Sequence, residues 1–580
     1  MFNRIRENIL MILNKLNHNC EKLTASNILI DEPREKSYGD LYTNVAMMFG
    51  KKFGMSPKAL AEIICEGLRT NVLISDISIA GAGFINMKLK NHAWHEMINK
   101  IIMYEKKYSY SDEFHGTKIN LEFVSANPTG PLHTGHARNA VFGSVVANLL
   151  ERIGYNVTRE FYINDQGNQI KYLARSVYLR YQEILGKNIS MDDFSSDMYC
   201  GNYVKELAQE IVDKYQDKFL EKEESEWIDF FCKYSIDRML ENIKTDLRMI
   251  GVVMDKYTSE ASLCKRNMVD ESLKILEQRG DIYEGVLPKP KGISDVDDWE
   301  ARPQTLFKST KYGDDIDRAI KKSDGTWTYF AGDLAYHLDK IRRGYTKMIA
   351  ILGADHNGYV KRLKAAVGAL SNNKSEIEIR LYQLVNFLEN GKPVKMSKRA
   401  GTFITLKEVV ERVGKDVTRY MMISRHHDVM IDFDFVKAVE QSMDNPLFYI
   451  QYAYARISSV FRCFETSNGK IEDQELIDCD KSILTDDAEI SLIKSLTLWK
   501  EQIASAARAI EPHRIPVYMQ NIASLFHSLW NKGKSNSKLR FINPDNKEET
   551  IARLSLLKAT KNVLDDGFAI MGIKPMSEMI

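Results

Sequence analysis

Apolar positions along the chain change period several times, and each change marks an element. Residues 2–23 and 57–70 repeat apolar residues at helical spacing, while "SDISIAGAGFINMKL" (75–89) reads as two strands around a turn marked by Gly81 and Gly83. This predicts an α+β unit over 1–115. From Lys118 the texture changes: "KINLEFV" is a short apolar-rich strand, "SANPTGPLHTGH" a loop, "ARNAVFGSVVANLLERIG" an amphipathic helix stopped by Gly154, and "NVTREFYIND" another strand. Strand, loop, helix and strand in that order form a βαβ crossover, the unit of Rossmann-like doubly wound parallel sheets, whose ligands sit at the carboxyl ends of strands.

Residues 170–250 are charged and helical in pattern. Alternation of strand and helix resumes at "WTYFAGDLAYHLDKI" (327–341), "KMIAILGADHNGYVKRLKAAVGAL" (347–370) and "IEIRLYQLVNFL" (377–388), so the sheet is completed after an insertion. Beyond 407 the pattern is helical almost to the end. The expected organisation is therefore α/β over 116–405 with a helical insertion at about 170–300, followed by an all-α unit over 406–580.

Composition narrows this picture only a little. With 580 residues, 44% hydrophobic, 27% charged and only 13 prolines, the chain is a folded multidomain protein without long disordered linkers. A net charge of +1 gives no global pull toward nucleic acid or anionic membrane, so such a partner must meet a local patch. Seven cysteines with no C-x-x-C pair read as free thiols in a reducing compartment. No stretch of about 20 residues is apolar enough to span a bilayer, and the N-terminus is amphipathic without a cleavage site, so a cytoplasmic location is expected.

Two stretches carry candidate chemistry. In "PLHTGHARNA" (131–140), His133 and His136 are three apart at an expected helix start, where unpaired N–H groups and the helix dipole favour an anion. Gly135 between them leaves room for a flat ring against backbone. The alternative is a pair of polar histidines at an ordinary cap. In "KPVKMSKRAGT" (392–402), Lys395, Lys398 and Arg399 are packed densely enough to counter the charge of a leaving pyrophosphate, although lysine runs are more often solvated surface. Together the two make halves of one phosphate clamp.

"HTGH" and "KMSKR" resemble the HIGH and KMSKS pair of class I aminoacyl-tRNA synthetases, and "EFVSANPTGPLHTGHARNA" with "KMSKRAGT" resembles the arginyl-tRNA synthetase family over nearly the whole chain. Thr134 departs from the signature's isoleucine. The resemblance implies activation of L-arginine by ATP to arginyl-adenylate and transfer to the 2′-OH of the terminal adenosine of tRNA(Arg). It also implies an N-terminal tRNA-contacting domain, a C-terminal anticodon-binding domain and a monomer. It places ATP on Pro131, His133, Gly135, His136, Lys395, Met396, Ser397 and Lys398, with His133, His136, Lys395 and Lys398 catalytic. Mg2+ is expected only with ATP, and no protein-bound zinc or other metal is expected, since linear spacing shows no His, Cys and carboxylate ligand cluster.

A guanidinium needs carboxylates in fork geometry and planar acceptors. Tyr329 and Asp333 stand at i and i+4, on one face if the segment is helical, and resemble the family's guanidinium-binding pair; an exposed helix charge or N-cap is the other reading of Asp333. Glu260 is similar in position to a family glutamate of the arginine pocket. Ser125 and Asn127 suit the substrate's amino and carboxylate groups, or merely the turn ahead of Pro128. His356 follows an apolar strand toward the same crevice, or is a structural histidine. Asn164, Asp165 and Gln166 also match the family, with contact to substrate and support of the loop both open. Phe448, Tyr449, Tyr452, Tyr454 and Arg456 suit stacking on anticodon bases, or core packing. Two competing readings are a class I synthetase for another amino acid and a silent tRNA-binding paralogue. A cysteine-specific enzyme would want clustered thiolates, and a silent paralogue should have lost the histidines or lysines.

Overall fold

The structure is a computed structural model that describes residues 1–16, 23–24, 27–33, 35–288, 302–394 and 404–579. Its centre is a five-stranded, all-parallel sheet of β1 (Lys118–Glu122), β2 (Asn156–Ile163), β3 (Lys256–Ser259), β4 (Lys347–Gly353) and β5 (Glu376–Tyr382), in the order β5-β4-β1-β2-β3. Helix α1 (Thr134–Arg152) crosses from β1 to β2, α2 (Tyr329–Arg342) precedes β4, and α3 (Val360–Ser371) joins β4 to β5. Strand order reverses between β1 and β4, and such a switch point opens a crevice at the carboxyl edge of the sheet.

The sequence explains why α1 fits there. Leu121, Ile349 and Ile351 are buried in the sheet, and α1 is buried around most of its circumference, from Ala137 to Leu150. Gly143 permits the contact: a Cβ at that position would fall 2.2 Å from the Phe123 ring, so no larger residue lets the helix lie on the end of β1.

Two expectations are corrected. The segment 170–300 is not simply a helical insertion. Helices Asn168–Ile184, Asn202–Tyr215 and Glu224–Met249 enclose an aromatic core in which Tyr178 and Trp227 stack at 3.8 Å, but β3 then returns to the main sheet. Strands Ile282–Gly285, Gln304–Phe307 and Arg318–Lys321 then form an antiparallel sheet. Strands this short give too few residues for a period to be read. Likewise, helix is not continuous beyond 407. "IDFD" forms strand Ile431–Asp434, which pairs in parallel with Val385–Glu389 and stacks Phe433 on Phe387; its two-residue alternation is a strand signal embedded among helices.

Helices Pro446–Asn468, Asp487–Ala509, Arg514–Ser535 and Lys547–Met571 form the C-terminal layer. The N-terminal unit has the expected strands Ile74–Ala80 and Phe84–Leu89, a third strand Leu41–Thr43 and a helix Asn91–Tyr104 that packs on the C-terminal layer. Arg6 and Glu501 tie the two units with a 2.8 Å ion pair. Among the described residues, no helix is long and apolar enough to cross a membrane.

Candidate active site

Helix α1 begins at Thr134 with His133 as its N-cap. Nδ1 of His133 accepts from Gly135 N at 3.1 Å, and Nδ1 of His136 accepts from His133 N at 3.2 Å, a reciprocal capping box built from two imidazoles. The rings lie 3.9 Å apart. Because each Nδ1 accepts a backbone proton, each neutral ring carries its own proton on Nε2, a donor suited to a phosphate oxygen. Gly135 serves this arrangement directly, since a Cβ there would sit 3.0 Å from Cε1 of His133. The flat ring it accommodates in the structure is His133.

The amides at this helix start are already engaged. Thr134 N donates to Ile404 O, Gly135 N to the His133 ring and His136 N to His133 O. An anion here meets ring protons and the helix dipole rather than orphan amides. Leu406 N donates to Leu132 O, and His133 bridges Thr405, so the chain leaving the lysine-rich stretch is pinned to the histidine loop. Lys395, Met396, Ser397 and Lys398 themselves lie outside the described residues.

At the carboxyl edge of the same sheet, three carboxyl groups converge. Glu122 ends β1, Glu260 opens the helix after β3, and Asp333 lies on α2. Tyr162 of β2 stands among them. Glu260 Oε1 lies against Gly332, where a Cβ would meet it at 2.8 Å. Burial, reinforced by Glu122, pushes the Asp333 carboxyl up to about 7; burial and Asp165 also raise Glu260. No hydrogen bond or ion pair engages the Asp333 carboxylate among the described residues.

Glu122 is the exception in this cluster. Burial opposes its ionisation, but Lys340 and the Ser125 hydroxyl outweigh it and hold Glu122 below its ordinary value. Lys340 is wholly buried, with Nζ 2.6 Å from Glu122 Oε2. Lys340→Met should destabilise the protein by about 3–5 kcal/mol by leaving a buried charge uncompensated. Urea unfolding checks this, with Lys340→Met/Glu122→Gln expected to recover part of the loss.

The remaining candidates divide clearly. Ser125 sits in left-handed backbone (φ 41°) after β1, accepts from Tyr162 N at 3.0 Å and donates to Glu122 at 3.1 Å, so its hydroxyl joins two strand ends. Asn127 is exposed and donates to Gln169 at 2.9 Å. Tyr329 is 78% exposed at the first turn of α2, one turn before Asp333. His356 is exposed in the turn after β4, beside Asp355 and Tyr359. Asp165 supports the loop, accepting from Ser259 Oγ at 2.6 Å and Ala261 N at 2.9 Å. Of the C-terminal aromatics, Tyr454 is buried and donates to Asp565, Tyr449 packs on His527, Phe448 stacks on Tyr452, and Arg456 stacks on Tyr452 and Trp530.

Sequence reasoning missed the buried cations that hold the site together. Arg138, within the quoted motif, donates to Gln383 O, His426 O and Val429 O. Lys340 reads in sequence as one more surface lysine of an amphipathic helix. A cation inside an otherwise apolar helix face was the signal available for Arg138.

This crevice, with imidazoles at a helix start on the switch point of a parallel sheet, is that of a class I aminoacyl-tRNA synthetase, and residues 97–451 match the family model for the class I (R) catalytic domain. Residues 3–89 match the arginyl-tRNA synthetase N-terminal domain and 450–579 the DALR anticodon-binding domain; the expected limits at 115 and 405 both fall inside the middle match. The chain belongs to the arginyl-tRNA synthetase family. It is 47% identical over 558 residues to an arginine-tRNA ligase of Parvibaculum lavamentivorans, covering 96% of this chain and 95% of that relative. It is also 47% identical over 573 residues to one of Wolbachia pipientis wMel, covering 98% of each. The Thermus thermophilus arginyl-tRNA synthetase structure shares the fold with a TM-score of 0.75 over all of both chains, at 17% identity.

Proposed function

We infer that the chain is an ATP-dependent arginine-tRNA ligase. The observation that carries the choice of arginine is the acidic pocket, where Asp333, Glu260 and Glu122 converge around Tyr162 and, among the described residues, only Glu122 is ion-paired, to Lys340, while Arg362 acts on Asp333 through its charge without a salt bridge. A guanidinium offers planar donors and a permanent charge that relieve this repulsion, whereas an ammonium leaves part of the acceptor set unpaired. Tyr329 and Asp333 take the guanidinium, with Glu260 beside them, while Asn127, Ser125 and His356 border the amino-acid end.

The arginine carboxylate, ionised at neutral pH, attacks the α-phosphorus of ATP, the bond to the β-phosphate breaks, and pyrophosphate leaves. The 2′-OH of the terminal tRNA adenosine then attacks the activated carbonyl and releases AMP. Neither step needs a covalent enzyme intermediate, so the protein's work is positioning and charge stabilisation. Nε2–H of His133 and His136 meets the phosphates from the α1 side, next to Pro131 and Gly135. Lys395 and Lys398 with Met396 and Ser397 meet them from the other, and Mg2+ arrives with ATP. The pinning of 404–406 to 132–134 supports that pairing. The partners are tRNA(Arg), L-arginine and ATP, with the monomer as the working unit in the cytoplasm.

An aminoacylation panel tests the reading. With tRNA bearing an arginine anticodon, the protein should charge arginine and leave lysine and glutamine uncharged. Folded protein that binds this tRNA yet charges no arginine overturns it.

A further inference from the structure

The fold brings together His426, Glu511 and His513, three residues that linear spacing keeps apart, so that one ligand atom from each lies within 4.8 Å of the others. We propose that His426, Glu511 and His513 form a binding site for a divalent zinc-like cation joining the catalytic unit to the C-terminal helical layer. Two imidazole nitrogens and a carboxylate oxygen with a fourth position open to water is a ligand set that zinc takes, and the absence of a thiolate from the set argues against a softer ion. His426 Nε2 and Glu511 Oε1 are 3.5 Å apart. Two ligands at tetrahedral zinc distances are separated by about 3.3 Å.

The surroundings are those of a prepared site. His426 directs Nδ1 to the Asp428 carboxylate, which fixes the ring and leaves Nε2 toward Glu511 and His513, the second-sphere pattern that orients metal-ligating histidines. The other oxygen of Glu511 accepts from Arg514 at 2.5 Å, which fixes the carboxylate without using Oε1. Among the described residues, His513 Nδ1 is buried with no hydrogen-bond partner, so this ring, unlike that of His426, is not oriented by a second group. The His426 and His513 rings meet edge to face at 4.8 Å.

Both halves are held by rigid backbone. Carbonyls of His426 and Val429 accept from the buried Arg138 of α1 at 2.9 Å, so the first half is bolted to the helix that opens on His133. Glu511 and His513 flank Pro512 in the short link between helices Asp487–Ala509 and Arg514–Ser535, just after Ile510 in left-handed backbone (φ 54°). A cation here fastens the C-terminal layer to the start of α1.

The test uses full-length protein treated with EDTA, desalted and titrated with Co2+ followed by visible absorption, then with Zn2+ as competitor. One Co2+ per chain should bind, with zinc displacing it, and zinc should raise the thermal midpoint. His426→Ala and His513→Ala should each weaken uptake more than tenfold and abolish the zinc-induced rise. Asp428→Asn, which removes no ligand, should weaken uptake about 10- to 100-fold. Circular dichroism establishes that each variant is folded; His513→Gln replaces His513→Ala if the latter is not. Folded wild-type protein with no saturable one-to-one uptake, or uptake that survives all three substitutions, overturns the proposal.

Discussion

Asp333→Asn should raise the KM for arginine at least about 100-fold, because truncating one partner of a buried, hydrogen-bonded charge pair typically costs several kcal/mol. The KM for ATP should barely move. Steady-state aminoacylation with each substrate varied in turn reads both, and equal effects on the two would remove Asp333 from the arginine pocket. The pH dependence follows from the carboxyl standing at about 7 in the ligand-free protein. Below that value Asp333 is protonated and neutral, so kcat/KM for arginine should fall with acidification through about 7, and the Asn variant should lose that limb.

The same carboxyl also shapes stability, and the sign is opposite to that of a salt-bridged aspartate. Its folded value lies above its ordinary 3.8, so the folded protein binds the proton more tightly than the unfolded chain does. Ionising it therefore carries a penalty that grows between 3.8 and about 7 and is constant above. Asp333→Asn should accordingly raise the thermal midpoint of the ligand-free protein, by about 1–3 °C at pH 8 and less at pH 5. A side chain that weakens the fold without ligand and is needed for arginine is the signature of a pocket kept acidic for a cation.

How far this site is legible in the sequence depends on the distance between partners. The crossover from β1 through α1 to β2 was readable because period, loop residues and helix stop all fall within 118–163. The placement of Asp333 was half readable, since Tyr329 and Asp333 share a face once α2 forms, but its acidic neighbours Glu122 and Glu260 come from the end of β1 and from the helix that follows β3. Lys340 was not readable at all, because what makes it buried and paired is Glu122, 218 residues earlier. Ser125 shows the converse. Its type and place at a strand end suggested a substrate contact, whereas its left-handed backbone and its bonds to Tyr162 and Glu122 employ the hydroxyl in shaping the crevice. Local chemistry nominates residues, and the tertiary partners decide which ligands remain for them.

That distinction can be tested on His136, where one ring does two jobs through two nitrogens. Nδ1 caps the helix by accepting from His133 N, and Nε2–H is assigned to the phosphates. An asparagine places its oxygen near the position of Nδ1 and has nothing at Nε2, while a glutamine reaches Nε2 but gives up the cap. His136→Asn should therefore keep the thermal midpoint and lower kcat for pyrophosphate exchange, measured with tRNA present, by about 100- to 1,000-fold, the size of losing one transition-state donor. His136→Gln should instead lose about 1 kcal/mol of stability with the cap, yet retain more activity than the Asn variant. If the ring serves only to start the helix, the order of activities inverts, with Asn active and Gln impaired. The two substitutions thus separate a helix cap from a catalytic donor within one side chain.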